Sequence, residues 1–259
     1  MKLDPRAVAA GVRLVAHDVL GSTNAEALDL AQQGERGALW VVAGQQTAGR
    51  GRRGRAWISQ PGNLHASLLL TAAAPAEHWP QLSFVAALVV HDAIVEVAAG
   101  LKPRLAIKWP NDLLLDGAKL AGILIEGTDA GEEDAVAIGI GVNCASHPDG
   151  TDHPAIDLAA AGAPVAAEVL LGALSAKMLG RLAQWNRGEG FSTIRADWLA
   201  RAVGVGADVR VRLADKELTG RFEALDEAGG LVLRLPGGEA TTVAAGDVLL
   251  LPTPARGGS

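Results

Sequence analysis

The stretch "DLLLDGAKLAGILIEGT", residues 112–128, carries two apolar runs on either side of Asp116-Gly117. An Asp-Gly pair between such runs favours a tight turn with positive φ at both central residues, so the stretch predicts a β-hairpin. A hairpin makes its two strands antiparallel. "RLAIKW" (104–109) before it reads as a strand ended by Pro110, and "AVAIGIGVNC" (135–144) after it reads as another. Working back toward the start, "QLSFVAALVVHDAIVEVAAG" (81–100) is a long apolar helix between Pro80 and Gly100. "NLHASLLLT" (63–71), "ALWVVAGQ" (38–45) and "VRLVAHDV" (12–19) are strands, and "NAEALDLAQQG" (24–34) is a helix. Thr23 and Glu26 fit a capping box for that helix, and Gly34 fits its stop. The order strand–helix–strand–strand–helix–strand–hairpin–strand is not a run of βα units. It predicts an α+β body, a mixed sheet with helices on one face, rather than a doubly wound fold.

Helices at 165–187 and 191–202 close this body, which is expected to span residues 1–203. From Gly204 the pattern changes to short strands with turn signals: "DVRVRL", "KELTGRFEAL", "LVLRL", "EATTV" and "DVLLL". A small β-barrel of four or five strands over 204–252 follows from that spacing. The tail 253–259, "TPARGGS", is expected to be disordered.

The bulk numbers suit a packed globular chain. Of 259 residues, 49% are apolar and 20% charged, which argues against disorder. A formal charge of -6 lacks the overall footprint of a nucleic-acid binder. Cys144 is the single cysteine, so no internal disulfide can form; this suits a reducing, cytoplasmic setting. The first twenty residues read as no signal peptide, and no uninterrupted apolar run reaches the ~18 residues of a spanning helix.

The arginine loop "QTAGRGRRGRAW" (46–57) contains a literal G-x-G-x-x-G at Gly49, Gly51 and Gly54. A dinucleotide turn needs a helix opening at the third glycine. Here "RAWISQPGNL" follows, and Pro61-Gly62 forbids a long helix. A Walker loop fails as well, because Arg50-Gly51 stands where Lys-Ser/Thr is required. What remains is a solvated basic loop, an RNA-gripping arginine segment, or a flexible positive flap that closes guanidinium groups over a small phosphate ligand.

Three further stretches bear on that choice. In "KWPNDLLLDGAKLAGILIEG" (108–127), Asn111 and Asp112 sit at a strand-to-hairpin turn where their oxygens suit Mg²⁺. Lys119 offers a compact charge to a phosphate or carboxylate, and Gly122 permits close approach to the backbone. In "GSTNAEA" (21–27), Ser22, Thr23 and Asn24 place neutral donors and acceptors at a helix start. In "IGIGVNC" (138–144), Gly139 and Gly141 alternate within a strand, as if a ligand lay flat on it, and Asn143 ends the strand. His147 and His153 read as solvent-facing rather than metal ligands. Cys144 reads as a small buried thiol.

Taken together, "STN", "QTAGRGRRGRAW", "KWPND", "KLAGILIE" and "GIGVN", in this order over about residues 12–252, resemble the biotin protein ligase family. The resemblance implies a catalytic domain related to class II aminoacyl-tRNA synthetases, followed by an SH3-like C-terminal domain. It implies that biotin and ATP form biotinyl-5′-AMP and pyrophosphate, and that biotin then passes to one lysine of a carboxyl carrier domain. It assigns biotin binding to Ser22, Thr23, Asn24, Gln46, Arg50, Gly51, Arg52, Lys119, Gly122, Gly139 and Gly141. It assigns the nucleotide to Arg50, Arg52, Trp57, Asn111, Asp112, Lys119 and Asn143, with Arg52 and Lys119 as catalytic cations and Mg²⁺ arriving with ATP near Asn111 and Asp112. Trp57 has two open readings, stacking on adenine and core packing. Some family members carry a DNA-binding domain ahead of the stretch that Ser22 matches; with 21 residues before Ser22, the resemblance implies the monofunctional class, with no such domain expected. Where many members have a "PATSL"-like segment after the "GIGVN" motif, this chain has "HPAIDL" (153–158). Lipoate ligation on a related fold and an RNA-binding module are the rival readings.

Overall fold

The structure is a computed structural model that describes residues 1–130, 133–151, 153–213 and 215–251. The tail expected at 253–259 lies outside the described residues. In chain order the elements are α1 (Pro5–Ala9), β1 (Arg13–Leu20), α2 (Thr23–Gln32), β2 (Leu39–Gln46), β3 (Leu64–Thr71), α3 (Leu82–Val97), β4 (Leu105–Lys108), β5 (Asp112–Leu115), β6 (Ala118–Asp129) and β7 (Asp134–Val142). Then come α4 (Ala167–Trp185), α5 (Phe191–Leu199), β8 (Asp208–Arg212), β9 (Glu217–Leu225), β10 (Leu231–Arg234), β11 (Ala240–Val243) and β12 (Asp247–Leu250).

Asp116 and Gly117 both take positive φ, 51° and 80°, and β5 turns back into β6 as the hairpin reading requires. The first seven strands form one sheet in the order β1-β2-β3-β7-β6-β5-β4. Only β1 and β2 run parallel, because α2 carries the chain back between them; the other neighbours are antiparallel. The body is therefore a mixed sheet, as the element order predicts.

Successive strand residues point to opposite faces, and here both faces are covered. Trp40, Val42, Leu68, Ile138 and Ile140 belong to the large core that α3, α4 and α5 close. Leu39, Val41, Leu69, Ala135 and Ala137 pack with Ala27 and Ala31 of α2. The expectation of helices on one face thus holds for α3–α5, while the short α2 lies on the other. Small alanines on α2 and the strands let it approach closely. The start of α2 also differs from the sequence reading. Ser22, not Thr23, is the cap, its Oγ accepting from the Ala25 amide. Thr23 is the first helical residue, which frees its hydroxyl for other contacts.

α3 is apolar nearly all round, as a helix buried on every side must be. By length and composition alone Ala76–Val97 is able to cross a membrane, yet 72% of its most apolar window is buried inside the protein. The five C-terminal strands form a second, antiparallel sheet in the order β11-β10-β9-β8-β12. It docks on the body through Trp109, whose Nε1 donates to the Gly229 carbonyl at 3.0 Å, and through the Phe84 ring at the same glycine. Gly229 has φ of 90° and no room for a Cβ, so a larger residue there would push Phe84 away. Val209, Val211, Phe222 and Leu231 of this sheet share one core with the body.

The helical layer is tied by a charged cluster. Asp92 on α3 accepts from Arg181 on α4 at 2.5 Å and faces His91 at 3.0 Å and Arg201 at 3.5 Å. Arg181 also reaches Asp197 on α5 at 2.5 Å. Burial pushes the Asp92 carboxyl up, but His91, Arg181 and Arg201 outweigh burial and hold it at about 2. A carboxyl lowered on folding stabilises above its unfolded value near 3.8, and that contribution is lost as pH falls toward 2. Asp92→Asn should therefore cost about 2 kcal/mol at pH 7. The cost should shrink between pH 4 and pH 2, read as the gap between the two proteins' urea midpoints at each pH.

Candidate active site

The helix start at Ser22, the end of β2, the arginine loop and the glycine strands converge on one cavity of about 130 Å³. Its walls include Ser22, Thr23, Asn24, Gln46, Arg50, Gly51, Arg52, Trp57, Asn111, Asp112, Lys119, Gly122, Gly139 and Gly141. Every site residue singled out from the sequence is there except Asn143. A second cavity of about 270 Å³ adjoins it, lined by Ile58, Asn143, Pro148, Gly150, Thr151, His153 and Ala155. Arg55, Ala56, Trp57 and Lys119 line both.

A chain of hydrogen bonds runs under the first cavity. Gln46 Oε1 accepts from the Thr23 amide at 2.8 Å and from the Thr23 hydroxyl at 3.1 Å, and Gln46 Nε2 donates to Ser59 Oγ at 2.9 Å. Ser67, fully buried on β3, donates to Asn24 Oδ1 at 2.6 Å and lies 2.7 Å from Thr23 Oγ1. Asn24 Nδ2 donates to the Leu124 carbonyl at 3.2 Å and to Glu126 at 2.8 Å. Ser59, Ser67 and Glu126 were not among the expected site residues. For Ser67 the sequence does hold a signal: His65 and Ser67 are alternate polar residues in an otherwise apolar strand, hence on one face of it.

The strand glycines are explained by what lies on them. A Cβ at Gly139 would sit 2.5 Å from Asn24 Oδ1, and one at Gly141 would sit 2.5 Å from the Trp57 ring. At Gly122 the Trp57 ring would be 3.0 Å away. Trp57 thus lies on the glycine strands, half-buried, on the wall shared by the two cavities. Its Nε1 is buried without a hydrogen-bond partner among the described residues. Lys119 Nζ stands 5.7 Å from the centre of its ring.

Lys119 is held by Asp112, 2.7 Å away, and Lys108 reaches the other carboxylate oxygen at 3.2 Å. Burial pushes the Asp112 carboxyl up, but the two ammonium groups more than offset this and hold it below the usual carboxylate range. Asn111 donates from Nδ2 to the Ile123 carbonyl at 2.6 Å, and its Oδ1 accepts from Arg52 at 3.1 Å. Both Asp112 oxygens and the Asn111 oxygen meet cationic side chains, so a Mg²⁺ arriving with ATP would share these oxygens with Lys108, Lys119 and Arg52. Among the described residues no group of three or more His, Cys, Asp or Glu side chains is arranged to hold a metal.

The arginine loop folds back on itself. Gly51 donates to the Arg55 carbonyl at 2.7 Å, Trp57 donates to the Gly49 carbonyl at 2.9 Å, and Arg52–Gly54 make a single 3₁₀ turn. No helix opens at Gly54, which removes the dinucleotide reading. Burial lowers the pKa of Arg52 somewhat, while Asp247 and Asp112 act against that.

Asn143 lines the second cavity rather than the first. It is buried, and its Nδ2 donates to the Ile156 carbonyl at 3.1 Å, which ties the 145–163 loop to the sheet. It belongs to the wall of the second cavity. His147 is half-buried rather than solvated, its Nδ1 lying 2.5 Å from the buried Asp157 carboxylate. Cys144 is buried, and burial raises its thiol to about 11, an inert state.

Residues 17–143 match the biotin/lipoate A/B protein ligase family, and residues 205–251 match the biotin protein ligase C-terminal domain. A biotin--[acetyl-CoA-carboxylase] ligase of Paracoccus denitrificans is 45% identical over 231 residues, 86% of this chain and 95% of that one. A biotin--[acetyl-CoA-carboxylase] ligase of Mycobacterium tuberculosis is 34% identical over 241 residues, 89% and 86% of the two chains. Among solved structures, the Aquifex aeolicus biotin protein ligase in complex with biotin and ATP superimposes with a TM-score of 0.78 at 26% identity. That match covers 93% of this chain and 99% of that one. The chain belongs to the biotin protein ligase family, and its activity is that of a ligase.

Asp112→Asn would leave Lys108 and Lys119 beside a neutral amide. The expected loss is about 3–5 kcal/mol in chemical denaturation at pH 7, the cost of breaking a buried ion pair from one side. A loss under about 1 kcal/mol would mean that the carboxylate is not holding the two lysines.

Proposed function

We infer that biotin occupies the first cavity and the nucleotide of ATP the second, and that they react at the wall that Trp57 and Lys119 share. The observation that carries this is the convergence of the neutral polar chain, the glycine strands and the cations Arg50, Arg52 and Lys119 on one cavity. A ureido group is neutral and rich in donors and acceptors. Ser22, Thr23, Asn24 and Gln46 are neutral too, and Ser59 and Ser67 lock the last three in place. Gly51, Gly122, Gly139 and Gly141 keep the walls close to the backbone.

The first step joins two anions. A carboxylate oxygen of biotin attacks the α-phosphorus of ATP, the bond to the β-phosphate breaks, and pyrophosphate leaves with that electron pair. Arg50, Arg52 and Lys119 offset the repulsion and the charge that grows on the phosphoryl oxygens. The ion pair with Asp112 aims Lys119 without neutralising the site, because Lys108 shares the same carboxylate. Mg²⁺ enters with ATP as part of the substrate. Trp57, already flat against Gly141, offers its other face to adenine, and Asn143 supports the wall opposite.

In the second step the neutral amine of a carrier lysine attacks the biotinyl carbonyl, AMP leaves, and the amine gives up a proton. The acceptor is a carboxyl carrier domain. Consumption of ATP and an inert single thiol suit the cytoplasm.

The test is biotin-dependent exchange of pyrophosphate into ATP by the purified chain with Mg²⁺. Exchange well above a biotin-free control is expected, and none with lipoate in place of biotin; equal exchange with lipoate would favour the rival ligase reading. Lys119→Ala should slow adenylate formation by roughly 10²–10³-fold, the loss typical of one preorganised charge donor. Unchanged single-turnover kinetics in a folded variant would remove Lys119 from the reaction.

A further inference from the structure

The arginine loop holds four cations and no acid of its own, and each guanidinium meets a partner outside the loop, Arg53 and Arg55 sharing one. Arg50 pairs with Glu126 on β6 at 3.2 Å. Arg53 reaches Asp247 and the Arg212 carbonyl, each at 3.4 Å, and Arg55 also pairs with Asp247. Among the described residues Arg52 meets uncharged acceptors only, Asn111 Oδ1 at 3.1 Å and the Gly246 carbonyl at 3.3 Å. Three of the four thus lean on the C-terminal sheet, at the start of β12 and the end of β8. Asp247 is itself part of the first cavity's wall and largely buried, with 16% of its side chain exposed.

We propose that Asp247 is a positioning residue for ligation: it pins the loop over the cavity through Arg53 and Arg55 and so leaves Arg52 as the loop cation that, among the described residues, pairs with no carboxylate. This rests on the functional reading above. Its physical logic is a division of labour. Three neighbouring guanidinium groups repel one another, and a single carboxylate from outside the loop relieves that repulsion at two of them. Arg53 adopts a left-handed backbone, φ 55°, which non-glycine residues avoid. Its two contacts on the C-terminal sheet hold it there. A carbonyl and an amide oxygen bind Arg52 more weakly than a carboxylate would, so a phosphate can take it without breaking an ion pair. The C-terminal sheet thereby acts on the adenylate without contributing a group that touches the reacting atoms.

The experiment uses the full chain and measures release of biotinyl-AMP from the purified complex at two salt concentrations. Asp247→Asn should raise the release rate constant about fivefold, the upper range for pairs of this exposure. Asp247→Glu should restore most of the retention. In the parent, release should quicken as salt screens the pairs, and in Asp247→Asn that quickening should be smaller. Should Asp247→Asn fold poorly, the double change Arg53→Gln with Arg55→Gln removes the same pairs from the loop side. It should release the adenylate at the same rate, and more slowly than the product of two independent effects when combined with Asp247→Asn. Release within twofold of the parent in a folded variant overturns the proposal, as does a glutamate variant as leaky as the asparagine one. Absence of biotin-dependent exchange in the parent would instead overturn the functional reading, so the two failures are distinguishable.

Discussion

The carboxylate of Asp112 is the contact on which the site depends. It sits at the start of β5, paired across the sheet with Lys108 on β4 and Gly122 on β6. A lone carboxylate at that depth would take up a proton. Two lysines from the flanking strands keep it charged, and it in turn keeps them in place. The outcome is a net positive group of fixed direction at the floor of a cavity. A lysine on a flexible stem would otherwise spread its charge over many rotamers.

Around that charge the protein places neutral groups rather than more ions. Ser59, Gln46, Thr23, Ser67 and Asn24 form one connected set, in which each buried polar atom answers another. Such a set is rigid because any rotation leaves a buried donor or acceptor unmet. It ends at Glu126, which also meets Arg50 of the loop. The neutral half of the cavity and the charged half are thus joined by one carboxylate.

The two sheets are not independent in this arrangement. They share a core through Trp109, Phe84 and Gly229, and they share the arginine loop through Asp247 and the Gly246 carbonyl. The loop is bounded by the catalytic body on one side and by the small sheet on the other. Trp57, at its end, is laid on Gly141 and Gly122.

Much of this was legible from the order of residues. Asp116-Gly117 demanded a hairpin because few other pairs adopt positive φ twice in succession, and the order of elements around it argued for a mixed sheet over a doubly wound one. Local pattern also located the strands of the small sheet and the loop glycines. What pattern along the chain cannot express is which distant groups meet. Ser22 rather than Thr23 caps α2 because Gln46, 23 residues on, claims the Thr23 amide and hydroxyl. Asp112 holds Lys108, its partner across β4, and also Lys119, which strand pairing sets opposite Leu114. Asn143 reaches the loop at Ile156, and Asp247 meets Arg55 of the arginine loop across 192 residues of sequence. Local propensity and turn chemistry act over a few residues, so the sequence by itself determined the elements and the chemical kinds present. Charge pairing and burial act through space, and only the tertiary structure decided which of those groups share a cavity.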